Sequence, residues 1–138
     1  VYHCVDIKRE IVEKDEFDHA DRQLLNFGHT IGHAVEKCSG FKISHGEGVA
    51  IGMNIAAKIA YKEGLSDVDL SENIKKACLK FGLPVTCNFN SDELSKAALS
   101  DKKRTGEYIN LILPIKIGNC IIKKYQKNQL KKLIESGL

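Results

Sequence analysis

Leu25-Asn26-Phe27-Gly28-His29-Thr30-Ile31-Gly32-His33-Ala34-Val35-Glu36, followed after a short interval by Ser44-His45-Gly46-Glu47-Gly48-Val49-Ala50-Ile51-Gly52-Met53, is the part of the sequence that decides both fold and chemistry. Leu24, Leu25, Gly28, Ile31, Gly32 and Val35 recur at helical spacing and share one side of a helix expected over about 20–38. Arg22, Asn26, His29, His33 and Glu36 recur at spacings of 4, 3, 4 and 3. At about 100° per residue they fall within roughly 80° of one another, on the other side. An ordinary solvated face is built of Lys and Glu; this one carries two imidazoles, a guanidinium and a carboxamide. The plain alternative is the polar face that every amphipathic helix has.

Ser44 and Glu47 have the spacing of a capping box, which opens a third helix reaching about residue 63. Gly28 and Gly32 form one GxxxG and Gly48 and Gly52 another, although a glycine inside a helix costs about 1 kcal/mol relative to alanine. Close backbone approach offsets that cost. Ala50, Ala56, Ala57 and Ala60 extend the small face, so the second and third helices are expected to pack tightly and carry His45 towards His29. His29 and His33, at i and i+4, can face one metal ion, and His45 can join them. On spacing alone all three are candidate ligands, and a histidine that only caps or packs is the alternative.

The remaining elements frame this centre. A first helix is expected over 2–14. A fourth, capped by Ser66 or Asp67, buries Leu70, Ile74, Ala77, Cys78 and Phe81 and stops at Gly82 and Pro84. Ser91 caps a short fifth through Leu94, Ala97 and Ala98. Tyr108–Leu113 and Cys120–Ile122 are rich in strand formers around Pro114 and Gly118, and a lysine-rich helix near Leu130, Leu133 and Ile134 closes the chain. The expected fold is mainly α, about six helices with a small two-stranded β element near the C-terminus. Without repeats, low-complexity tracts or a Pro/Gly linker, residues 1–138 read as one domain.

Two basic features stand outside the stripe. Lys8 lies in line with Val1, Cys4, Val5, Ile11 and Val12, so either its stem snorkels to the edge or its ammonium enters a polar pocket. Asp101-Lys102-Lys103-Arg104 leads into Thr105-Gly106, and fixed cations beside a loop can hold a phosphate, although a charge run is usually solvated.

The 138 residues include 21 Lys and Arg against 18 Asp and Glu, a net charge of +3, with 43% hydrophobic residues. These proportions argue for a folded domain and against disorder, and the charge is too weak to indicate a nucleic-acid partner. No apolar run approaches a membrane span, and no signal peptide opens the chain. The five cysteines, Cys4, Cys38, Cys78, Cys87 and Cys120, are scattered and contain no CxxC, which points to reduced thiols in a cytoplasmic protein. The helical pattern is already running at Val1, without an initiator methionine, so a fragment of a longer chain is expected.

The two quoted stretches, with Lys8, Asp15-Glu16 and Arg22 before them and Asp101-Lys102-Lys103 and Gly106 after, closely resemble the signature of 3-dehydroquinate synthase. The resemblance covers essentially the whole chain and corresponds to the helical C-terminal domain of that enzyme. It implies a missing N-terminal Rossmann-like domain that holds NAD; this chain has no GxGxxG after a strand. It also implies a zinc ion, or another divalent metal such as cobalt, held by His29, His45 and a glutamate of the absent domain. His33 then becomes a substrate-side residue, a different assignment from three histidine ligands. His33, Lys8 and Asp18 match catalytic positions, and Arg22, Asn26 and one of Lys102 or Lys103 match those that grip carboxylate, hydroxyls and phosphate.

The implied reaction belongs to the shikimate pathway and turns 3-deoxy-arabino-heptulosonate 7-phosphate into 3-dehydroquinate and phosphate. Oxidation by NAD, phosphate elimination, re-reduction and an aldol closure leave no net redox change. Two positions depart from the family pattern: Asp18 replaces a usual glutamate, and Gly48 replaces the usual alanine after His-Gly-Glu. The related cyclases that make inosose or aminocarba-sugar precursors share the frame, and a non-catalytic helical docking module is the reading from another class. The expected partners are a small sugar phosphate, the N-terminal domain and a second copy in a homodimer, with neither nucleic acid nor membrane. Alone, the chain is expected to be folded, inactive and a weak metal binder, with Arg22, Asn26, His29 and His33 open to solvent.

Overall fold

The computed structural model describes residues 1–14, 21–100 and 106–138. Helix α1 (Tyr2–Lys14) leads to a 3-10 turn at Asp21–Asn26, followed by α2 (His29–Cys38) and α3 (His45–Lys62). Then come α4 (Ser71–Lys80), α5 (Ser91–Leu99), the antiparallel strands β1 (Tyr108–Lys116) and β2 (Asn119–Gln126), a short 3-10 turn and α6 (Leu130–Gly137). The expected frame of helices with one small β pair is present. No helix among the described residues is long and apolar enough to cross a membrane.

α3 is the axis of the fold, packing against α2, α4, α6 and β1. Its small and branched residues explain why. Ile51, Ile59 and Ala60 have no exposed surface and Ile55 only 3%, and they meet Ile31 and Val35 of α2, Leu94 of α5, Leu113 of β1 and Leu130 and Ile134 of α6. Each fully buried isoleucine or leucine contributes about 1.5–3 kcal/mol relative to an exposed one. A polar residue serves the same helix: buried Asn54 donates from Nδ2 to the Val85 carbonyl at 3.1 Å, tying the segment after α4 to α3.

The expected second helix is broken. Gly28 adopts φ +79°, a left-handed conformation that closes the 3-10 turn and restarts the chain as α2 at His29. Both the left-handed backbone and the close approach to α3 call for glycine here: a β-carbon on Gly28 would lie 2.7 Å from the Met53 nitrogen. Gly32 and Gly48 face each other in the same way, with a β-carbon on either lying 2.9 Å from backbone atoms of the other. Tight packing of the two GxxxG motifs is therefore as expected, while helical continuity through residue 28 is not.

Four local expectations are corrected. The cap of α5 is Asn90, whose side chain accepts from the Glu93 N–H at 2.9 Å while Glu93 accepts from the Asn90 N–H, so Ser91 is the first helical residue. At α4 neither Ser66 nor Asp67 caps: the Ser66 hydroxyl turns to the Val68 carbonyl, and Asp69 accepts from the Ser71 N–H. Phe81, expected in the core, is 78% exposed, and Ala77 is exposed as well. The strands run past Pro114, with a register irregularity between Pro114 and Lys116, where a residue without an N–H is tolerated. At the start of α3 Glu47 does return to Ser44, accepting from its N–H at 2.8 Å and its hydroxyl at 2.7 Å. These bonds hold the Glu47 carboxyl below its usual range.

Candidate functional site

Two helix starts build the site. His29 is the first residue of α2 and His45 the first of α3; the glycine contacts, Gly28 on Gly52 and Gly32 on Gly48, pack the two helices antiparallel and close enough for their histidine side chains to meet. The ring centres of His29 and His45 are 5.1 Å apart, those of His33 and His45 5.5 Å and those of His29 and His33 5.7 Å. Glu36, one turn beyond His33, completes the group, with its Oε1 3.0 Å from His45 Nδ1. On the other side, His29 Nδ1 lies 3.3 Å from the Phe27 carbonyl oxygen.

These groups suit a divalent cation. Donor atoms of His33, Glu36 and His45 all lie within 4.8 Å of one another, and the His29 ring adjoins them. Imidazole and carboxylate are the donors that hold zinc and cobalt. Beside the histidines a cleft of about 320 Å³ opens between His45, Val49 and Met53 on α3 and Ala77, Phe81 and Leu83 around the end of α4. A larger groove of about 470 Å³, lined by Leu24, Phe27, Met53, Ile74 and Cys120, contains no histidine, so volume alone would misplace the chemistry.

The other expected residues are placed differently. Arg22, Asn26 and His33 are exposed and His29 is half-buried, so this polar face is open to solvent as expected. Because the helix breaks at Gly28, however, Arg22 and Asn26 do not continue the α2 stripe. Asn26 lines a small crevice with Thr30 and Leu111. Lys8 is exposed on α1, where Val5 and Ile7 are exposed too, as is Val1 just before it. Asp18, Lys102 and Lys103 lie outside the described residues. Glu36 belongs to the polar stripe by spacing but is not among the expected site residues; its position three residues after His33 is the available signal.

The helical frame is similar to that of solved cyclase structures. A 2-deoxy-scyllo-inosose synthase complexed with carbaglucose-6-phosphate, NAD+ and Co2+ matches 99% of this chain and 40% of its own, with TM-score 0.81 and 25% identity. A second structure of 2-deoxy-scyllo-inosose synthase matches with TM-score 0.77 at 25% identity, over 98% of this chain and 38% of its own.

The chain belongs to the 3-dehydroquinate synthase C-terminal family, whose pattern its residues 1–104 match. It is similar to the 3-dehydroquinate synthase of Streptococcus sanguinis (strain SK36), 43% identical over 137 residues. That of Streptococcus mutans serotype c (strain ATCC 700610 / UA159) is 40% identical over 137 residues. Each match covers 98% of this chain and 39% of the relative, so the chain spans about two-fifths of their length.

Proposed function

We propose that the whole chain forms one helical domain, the metal- and substrate-binding part of a 3-dehydroquinate synthase. In the complete protein it would act in a carbon-oxygen lyase that converts 3-deoxy-arabino-heptulosonate 7-phosphate into 3-dehydroquinate and phosphate. The observation that supports this reading is the meeting of His29, His33, Glu36 and His45 where the two glycine motifs cross, within the span matched by the family.

In this reading His29 and His45 hold the divalent metal, zinc or cobalt, with a glutamate from outside this chain as third protein ligand. When bound, the metal supplies Lewis-acid polarisation of substrate oxygens. His33, exposed beside both rings, positions substrate or moves a proton. Arg22 offers a planar fork for carboxylate or phosphate, Asn26 and Lys8 reach hydroxyls and carboxylate, and one of Lys102 or Lys103 takes the phosphate. Asp18 is the acidic partner, its reach about one methylene less than that of a glutamate. NAD sits mainly on a Rossmann-like domain beyond this chain. The complete protein is cytoplasmic and homodimeric, without nucleic-acid or membrane partners.

A second reading, another sugar-phosphate cyclase, draws on the likeness to 2-deoxy-scyllo-inosose synthase. Identity favours the first, at 43% against 25%. The test is phosphate release from the heptulosonate phosphate with NAD and zinc. It compares this chain alone with this chain joined behind the part of the Streptococcus sanguinis enzyme that it does not cover. Turnover by the joined protein and none by the chain alone is expected. A folded, metal-loaded chimera that releases phosphate only from glucose 6-phosphate would favour the second reading.

A further inference from the structure

Glu36 has a mostly buried side chain, 14% exposed, beside a His45 side chain that is 57% exposed. A buried carboxylate requires polar partners, and one of its oxygens finds His45 Nδ1 at 3.0 Å. The approach depends on the neighbouring helix. A β-carbon on Gly48 would stand 3.0 Å from Glu36 Cγ and 3.3 Å from its Oε1, so the bare backbone there gives the Glu36 side chain its path along α3 to His45.

A carboxylate oxygen accepts hydrogen bonds, so in the neutral His45 ring this contact places the proton on Nδ1 and leaves the lone pair on Nε2. His29 reaches the same state by another route: its Nδ1 meets the Phe27 carbonyl, which also only accepts. Two rings 5.1 Å apart thus present the same nitrogen, one oriented by a neutral backbone group and the other by a charge. We infer that Glu36 is a positioning residue that fixes the Nδ1–H tautomer of His45 and turns its Nε2 lone pair to the metal. This role rests on the metal-site reading given above. The competing role is direct ligation, because a Glu36 oxygen also lies within 4.8 Å of donor atoms of His33 and His45.

The two roles separate on Glu36→Gln and Glu36→Leu in this chain. Histidine tautomers are read from two-bond 1H–15N NMR correlations of the metal-free protein, and zinc affinity from competition with a chromophoric chelator. An amide oxygen still accepts from Nδ1 but is a poor zinc ligand. Glu36→Gln is therefore expected to keep the His45 tautomer and to lose less than about tenfold in affinity, while Glu36→Leu loses the tautomer preference and about 10- to 100-fold in affinity. Equal zinc loss in both variants would establish ligation and overturn positioning. An unchanged His45 tautomer in Glu36→Leu would overturn it as well. His29→Ala and His45→Ala serve as references: if neither weakens zinc binding, the metal-site reading fails and takes this inference with it. If both do, a failure at Glu36 concerns Glu36 alone.

Discussion

The carbonyl oxygen of Gly28 lies against the α-carbon of Gly52, leaving no room for a β-carbon at residue 52. That contact, with Gly32 against Gly48, sets the distance between α2 and α3 and hence the distance between His29 and His45.

Gly52→Ala is accordingly expected to destabilise the protein. The added methyl would also meet the Gly32 nitrogen at 2.7 Å, and backbone cannot rotate aside as a side chain can. Overpacking costs about 1–3 kcal/mol, more than the roughly 1 kcal/mol gained in helix propensity. Gly46→Ala is the contrast, because nothing lies within 4 Å of its β-carbon position and the helix gains propensity. Urea midpoints should fall for the first variant and hold or rise for the second. Equal midpoints would mean that the helices separate at little cost.

The histidines should divide by duty in the complete enzyme. On the proposed assignment His29→Ala and His45→Ala each remove a metal ligand, so both should lose zinc and nearly all turnover. His33→Ala should keep its zinc and slow by about 10² to 10⁴, the usual worth of a positioned proton-transfer group. Metal content and turnover measured on the same preparations decide this. Zinc loss in folded His33→Ala equal to that in His29→Ala would restore a three-histidine site.

Alkaline pH should act through Tyr125. Burial, with the nearby Glu63 carboxylate adding, pushes its phenol up to about 12 from an ordinary 10. The folded state therefore favours the protonated phenol. Its contribution is complete below about pH 10 and disappears as pH rises through 12. Tyr125→Phe should flatten this part of the stability profile, measured by urea unfolding between pH 9 and 12. A variant whose stability falls as steeply as the parent's would place the alkaline sensitivity elsewhere.

Thiol reactivity should rank by burial. All five cysteines are free; Cys4 is exposed, and burial raises the thiols of Cys38, Cys78, Cys87 and Cys120, holding them in the unreactive protonated form. Brief treatment with a maleimide near neutral pH should modify Cys4 first, as mapped by peptide mass. Modification of Cys78 at the same rate would show that α4 detaches readily from α3.

Local pattern revealed α1, α3, the hairpin and α6, because their hydrophobic periods and terminal residues act within a few neighbours. The break at Gly28 escaped it, since apolar positions continue in phase from Leu24 to Val35 and the left-handed turn answers to Met53, twenty-five residues away. The cap at Asn90 escaped for a simpler reason: Asn90 and Ser91 are adjacent, and both are good caps. In α1 the stripe through Val5 marks a face that favours an apolar partner, yet Val5 is exposed here. Among the candidate site residues, the histidine pair on α2 follows from spacing, whereas the bond from Glu36 to His45 joins two helices and belongs to the packing.

α3 divides its labour along its length. From Ile51 to Ala60 it is enclosed, with α6 so close that a β-carbon on Gly137 would come within 2.8 Å of the Ile55 carbonyl oxygen, while its first residue, His45, stands 57% exposed at the cleft. The residues that keep the domain folded and the residue that offers chemistry therefore share one rigid rod but not one environment. A rod held in this way can differ at its exposed first residue while its enclosed turns keep the frame, which fits a fold matched by 2-deoxy-scyllo-inosose synthase at only 25% identity.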